Sequence, residues 1–137
     1  MYSPQVMDHF QNPRNVGEMP DADAVGKAGS PTCGDILRLY LKFDNGRVVK
    51  ATFKTFGCGA AIAASSVLTE MALGKTPAEL RRVTNRDVAD ALGGLPPIKM
   101  HCSVLAEEAL QASIGDYLKK HGRSLDEYLK KIEEEKK

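Results

Sequence analysis

Three cysteines, Cys33, Cys58 and Cys102, are the residues of this 137-residue chain best suited to chemistry. An odd number argues against a closed disulfide framework. In a reducing compartment they are free thiols, and free thiols serve as metal ligands, reactive groups or small buried hydrophobes. Their surroundings favour the first two roles. Cys33 lies in Pro31-Thr32-Cys33-Gly34-Asp35, where loop gives way to strand. Cys58 lies in Phe56-Gly57-Cys58-Gly59-Ala60, where strand gives way to helix, and Cys102 follows His101, where loop gives way to helix. All three stand at element ends, from which side chains can converge on a rigid frame. Two of them open helices, where unpaired N–H groups and the macrodipole favour a thiolate. Glycines at 34, 57 and 59 remove bulk near two of the sulfurs.

Two further residues extend the set. Asp35 is two positions after Cys33, so in an extended segment both point to one side. His101 adjoins Cys102 and offers an imidazole ligand. Thiolate with imidazole suits zinc or an iron–sulfur cluster. The spacing has no CxxC pair, unlike a zinc finger, and it lacks the four cysteines of a ferredoxin. A carboxylate oxygen completing an incomplete thiolate set makes a weak link. That is poor for storage and suited to a cluster that must leave.

The elements that would hold these residues follow from pattern. Ser3-Pro4 reads as an N-cap and first helical proline, with Val6 and Phe10 on one face of a helix that ends before Asn12-Pro13. Residues 12–34 read mainly as loop, with a weak strand pattern at 24–32. Leu37, Leu39, Leu41 and Phe43 alternate on one strand, Asn45-Gly46 turns the chain, and Val49, Ala51, Phe53 and Thr55 return. Ala60–Leu73 is a small-residue helix stopped by Gly74. Pro77–Arg82 and Asn85–Leu92 read as short helices, and Gly93–Lys99 as an extended loop. A long helix follows over Ser103–Lys120, stopped by Gly122. Ser124 then caps a last helix carrying Asp126/Lys130 and Glu127/Lys131 at the favourable spacing.

Composition sets outer limits. Apolar residues make up 42% and charged residues 27%, fitting one globular domain with a real core. A net charge of +1 gives no electrostatic case for nucleic acid or an anionic membrane as the main partner. The longest apolar run, Ala60–Val67, is too short to span a bilayer. The N-terminus shows neither a secretory nor a transit pattern, so the expected location is cytoplasmic.

At these residues the chain resembles the IscU-type iron–sulfur cluster assembly scaffold family, which includes the N-terminal module of NifU-type proteins. The stretches that carry the resemblance run Asp8-His9-Phe10-Gln11-Asn12-Pro13-Arg14-Asn15-Val16-Gly17, Cys33-Gly34-Asp35, Phe53-Lys54-Thr55-Phe56-Gly57-Cys58-Gly59 and Leu95-Pro96-Pro97-Ile98-Lys99-Met100-His101-Cys102-Ser103. The resemblance implies an α+β fold, a small three-stranded antiparallel sheet with helices packed on it and a long C-terminal helix. It implies a scaffold domain over residues 1–121, leaving 122–137 as a charged helical extension with no assigned role. NifU's other modules, a ferredoxin-like cysteine cluster and a CxxC domain, have no counterpart here.

By position, the resemblance makes Cys33, Cys58 and Cys102 the essential cysteines, Asp35 the residue of cluster lability and His101 the histidine beside the third cysteine. It makes Leu95, Pro96, Pro97, Ile98 and Lys99 the loop bound by a dedicated Hsp70-type chaperone with its co-chaperone. Ile98 stands where the family reads valine. The expected function is assembly of a transient 2Fe–2S cluster from iron and persulfide sulfur, and its transfer to apo-proteins. The implied partners are a cysteine desulfurase, a ferredoxin, a frataxin-like protein and apo iron–sulfur acceptors, with a homo-oligomer compatible. Cys102 is the expected first sulfur acceptor, because helix start and His101 both favour its thiolate. Asp35 and His101 both stand as the fourth cluster ligand. The chain is expected to be a carrier and not an enzyme. Two rivals use the same residues: a zinc-binding structural or regulatory protein, and a cysteine-nucleophile enzyme built on Cys102 and His101.

Overall fold

A computed structural model describes residues 3–30 and 34–120. Helix α1 covers Pro4–Gln11, with the Ser3 hydroxyl accepting from the Val6 N–H and Pro4 at the first helical position. Only one stripe of this short helix reaches the interior. Val6 and His9 are buried, whereas Phe10, expected to share the apolar face with Val6, is 44% exposed.

Strands β1 (Ala24–Ser30), β2 (Asp35–Asp44) and β3 (Arg47–Phe56) form an antiparallel sheet in the order β1-β2-β3. The β2–β3 turn needs two positive φ angles, and Asn45 (52°) and Gly46 (77°) supply them. Leu37, Leu39 and Leu41 point inward, as their alternation requires. The return strand departs from its expected phase. Lys42 pairs with Lys50 but Phe43 pairs with Val48, so Val49 is an extra residue in a bulge. One extra residue flips the face, which leaves Val48 buried and Val49 52% exposed. Ala51 and Phe53, beyond the bulge, are buried as expected.

The weak pattern of β1 has a packing cause. Its inward residues are Ala24, Gly26 and Ala28, and the last helix, α5 (Met100–Lys120), lies on them. A Cβ added to Gly26 would sit 2.1 Å from the Ala109 carbonyl oxygen, so only glycine admits this approach. Residues 15–17 run along the free edge of β3, where Phe53 N donates to Asn15 O and Gly17 N to Phe53 O. The chain then crosses the outward face, pinned by Glu18 on Lys54 and Asp21 on Lys42, before entering β1.

Helix α2 (Gly59–Ala72) packs closely because Ala60, Ala61, Ala63, Ala64, Ser65 and Ser66 are all buried. Helices α3 (Pro77–Arg81) and α4 (Asn85–Ala91) each begin with a capping box, Thr76 with Glu79 and Thr84 with Asp87. The segment expected to run extended before α5 instead closes a 3₁₀ turn over Pro97–Lys99. Proline is tolerated there because the N–H it lacks would have no acceptor within the first turn. The turn leads straight into α5, which therefore starts at Met100 and not at Ser103. The last helix expected after Ser124 lies outside the described residues, as does Cys33. Among the described residues no helix is long and apolar enough to cross a membrane.

Candidate metal centre

Three element starts converge on one end of the sheet. Asp35 is the first residue of β2, Cys58 is the N-cap of α2, and His101 and Cys102 sit in the first turn of α5. The Cys58 N–H donates to Asp35 Oδ1 at 3.3 Å. His101 Nε2 lies 3.3 Å from Asp35 Oδ2 and 3.5 Å from Cys102 Sγ. The two sulfurs, Cys58 Sγ and Cys102 Sγ, are 3.6 Å apart. The ligand atoms of Asp35, His101 and Cys102 all lie within 4.8 Å of one another, close enough to share one ion. The site thus brings together four of the five residues expected from sequence. It holds both the carboxylate and the imidazole, the former largely buried and the latter half-exposed.

One geometric detail bears on the enzyme rival. A nucleophile–base–carboxylate relay uses the two different nitrogens of the histidine. Here the same Nε2 faces both Asp35 and Cys102, which suits convergent ligands better than a relay.

The two thiols differ sharply in ionisation. Partial burial pushes the Cys58 thiol up, but more acts the other way. The backbone N–H groups of Ala61 and Ala60 at the start of α2, the Cys102 thiol and the Lys99 charge bring its pKa below the usual value. Cys102 is 1% exposed, and burial pushes its pKa up to about 12, with the Cys58 sulfur and the Asp35 carboxylate adding to the rise and Lys99 opposing it. The expectation that Cys102 is the readier thiolate is therefore reversed. A helix start favours an anion only if the anion is solvated or paired, and Cys102 is packed with Ala60, Ala61 and Leu95.

Two glycines give this arrangement its room. A Cβ on Gly57 would lie 2.2 Å from Asp35 Oδ1, and one on Gly59 would lie 3.0 Å from the Phe10 ring. Among the described residues a Cβ on Gly34 would meet nothing within 4 Å, and its φ of 78° is one that glycine adopts readily.

The site also includes residues that sequence reasoning did not assign to it. Phe10 leans over Gly59 beside Cys58, and nothing in a two-turn apolar pattern signals this. Lys99 had been placed only in the chaperone loop, yet its charge is felt at both sulfurs. Its position three residues before Cys102 was the available signal. His9 and Ser66 fix the segment beneath: Ser66 Oγ lies 2.8 Å from His9 Nδ1 and accepts from the Arg14 N–H at 2.9 Å.

The profile of the NifU-like N terminal domain matches residues 1–124. The chain belongs to this family. Among its relatives, the iron–sulfur cluster assembly scaffold protein IscU 1 of Archaeoglobus fulgidus is 56% identical over 123 residues, covering 90% of this chain and 80% of the relative. The scaffold protein IscU of Haemophilus influenzae is 48% identical, covering 88% of this chain and 98% of its own length. A crystal structure from Fervidobacterium islandicum, described as an iron–sulfur cluster assembly scaffold protein for the SUF system, superposes with a TM-score of 0.65 at 22% identity. It covers 82% of this chain and 96% of that one. That likeness bears on the fold alone, and it agrees with the α+β sheet-and-helix arrangement described above.

Proposed function

We propose that this member of the NifU-like N-terminal domain family is a scaffold on which a 2Fe–2S cluster is assembled as cargo and passed to apo-proteins. The observation that carries the reading is the convergence of Asp35, Cys58, His101 and Cys102 from three element starts onto one end of the sheet. Soft sulfur and imidazole suit iron–sulfur chemistry, and the carboxylate supplies the exchangeable ligand. The close relatives are named for iron–sulfur assembly, which favours this cargo over zinc. Cys33 completes the thiolate set as a proposal from sequence.

Sulfur arrives as a persulfide on a cysteine desulfurase. A scaffold thiolate attacks the outer sulfur, a new S–S bond forms, the donor's S–S bond breaks and the donor cysteine leaves as thiolate. Cys102 stays the proposed acceptor on its position beside His101 and Cys58. Its burial adds a condition, because Cys102 must be uncovered before it can attack, whereas Cys58 is ready as it stands. Two electrons from a ferredoxin then reduce each persulfide sulfur to sulfide. A frataxin-like protein regulates the sequence, and a chaperone with its co-chaperone binds Leu95–Lys99. Leu95 packs on the cluster of Ala60, Ala61 and Cys102, and Lys99 acts on both sulfurs, so binding there would loosen the site. The protein performs no turnover of its own.

The test is anaerobic. Metal-free protein is mixed with ferrous iron, cysteine, a reductant and a desulfurase, visible absorption is followed, and an apo-ferredoxin is then added. Growth of cluster absorption followed by its transfer supports the scaffold role. Absence of a cluster, or one that never leaves, refutes it. Mass mapping of the persulfide before iron is added decides between Cys102 and Cys58.

A further inference from the structure

The outward face of the sheet holds a charge arrangement that the cysteine chemistry does not use. Lys27 of β1 stands directly opposite Arg38 of β2, and Arg38 directly opposite Lys54 of β3. Directly paired residues share a face, and all three are exposed, so three cations form one row across three strands. The neighbouring row on the side of the metal centre is the pair Ile36–Phe56, and Phe56 is 77% exposed. Phe56 is followed by Gly57 and Cys58, so this apolar row adjoins the site. Farther along the same face Lys42 is paired with Lys50.

Like charges directly opposite one another in a sheet destabilise it. The fold offsets only part of this. Lys54 reaches Glu18 at 3.2 Å and Lys42 reaches Asp21 at 2.8 Å, while among the described residues no ion pair holds Lys27 or Arg38. A row that costs stability and is left uncompensated, beside an exposed aromatic ring, is what a recognition surface requires.

We propose that this face docks a protein partner with an acidic surface, whose carboxylates meet Lys27, Arg38 and Lys54 and whose apolar edge covers Phe56. The apolar row of Ile36 and the exposed Phe56 favours an acidic protein surface with an apolar edge over a phosphate chain or lipid headgroups, which offer nothing to cover the ring. Such a partner would lie with its edge at Cys58. The proposal needs no cluster and stands apart from the assembly reading.

The test uses the full chain, ¹⁵N-labelled, with poly-L-glutamate and a glutamate–tyrosine copolymer as acidic polypeptide probes. Both should perturb the amides of Lys27, Arg38, Lys54 and Phe56, and the copolymer should bind more tightly. Arg38→Glu should weaken both by about tenfold, the scale of a few surface charge contacts. Phe56→Ala should remove the copolymer's advantage alone. Arg38→Glu also turns the row into alternating charges, so its urea midpoint should rise while binding falls, a combination that a structural role for Arg38 does not give. Perturbation centred elsewhere overturns the proposal, as does Arg38→Glu binding within twofold of the parent. Equal binding of duplex DNA or phosphatidylserine vesicles on the same footprint overturns it in favour of a general polyanion surface.

Discussion

Alkylation of the metal-free protein should label Cys58 far ahead of Cys102. With its pKa pushed up to about 12, Cys102 holds about one thiolate in ten thousand at about pH 8. An unperturbed thiol of pKa 9.0 would hold about a tenth at that pH, and Cys58 lies below that value, so its fraction is larger still. Ionisation therefore separates the two thiolate populations by about a thousandfold; the stronger nucleophilicity of the higher-pKa thiolate returns part of this in rate, and the burial of Cys102 widens the gap again. The assay is iodoacetamide labelling followed by peptide mass spectrometry over a pH series. Lys99→Gln should slow Cys58, because the Lys99 charge helps hold its thiolate. Equal rates, or Cys102 labelled first, would refute the ordering and restore the helix-start argument for Cys102. Stability carries a matching sign. The Cys102 pKa is raised on folding, from 9.0 to about 12, so the folded state keeps its proton where the unfolded chain has lost it. This contribution is whole below pH 9 and is lost as pH rises towards 12. The urea midpoint should fall across that window, and fall less in Cys102→Ala.

Asp35→Ala should remove the weak oxygen ligand and lengthen cluster lifetime, read as slower transfer to an apo-ferredoxin; unchanged transfer kinetics would sink the lability argument. Gly26→Ala should cost about 3 kcal/mol in urea unfolding, since the new methyl meets Ala109 and Ser113 backbone atoms that no rotamer can move aside. An unaltered midpoint would mean that α5 is not seated as closely as described. Ser66→Ala should cost about 1–3 kcal/mol, because buried His9 and the Arg14 N–H lose one shared partner. It should also speed labelling of Cys58 by freeing the segment that holds Phe10 over Gly59, and a labelling rate equal to the parent's would separate Phe10 from the protection of that thiol.

Short-range chemistry made much of this protein legible from its sequence. Asn45-Gly46 fixed the hairpin turn because few residues tolerate two positive φ angles in succession. Ser3 announced a helix start because its hydroxyl satisfies the Val6 N–H three residues on, and Thr76 and Thr84 cap α3 and α4 in the same way. Cys58, His101 and Cys102 could be singled out as candidate ligands because few residue types bind soft metals, and Asp35 because it lies one alternation step from Cys33. What contact between distant segments decides was not legible. The weak pattern of β1 is strand only because α5 lies on Gly26, and Val49 turns outward because the pairing of β2 with β3 slips by one residue. The order in which the two thiols ionise also belongs to the tertiary structure. Residue type and helix position favoured a thiolate at both sulfurs and His101 put Cys102 ahead, but burial of Cys102 beside Cys58 turned that order round, because removing water from a charge outweighs what a helix start returns.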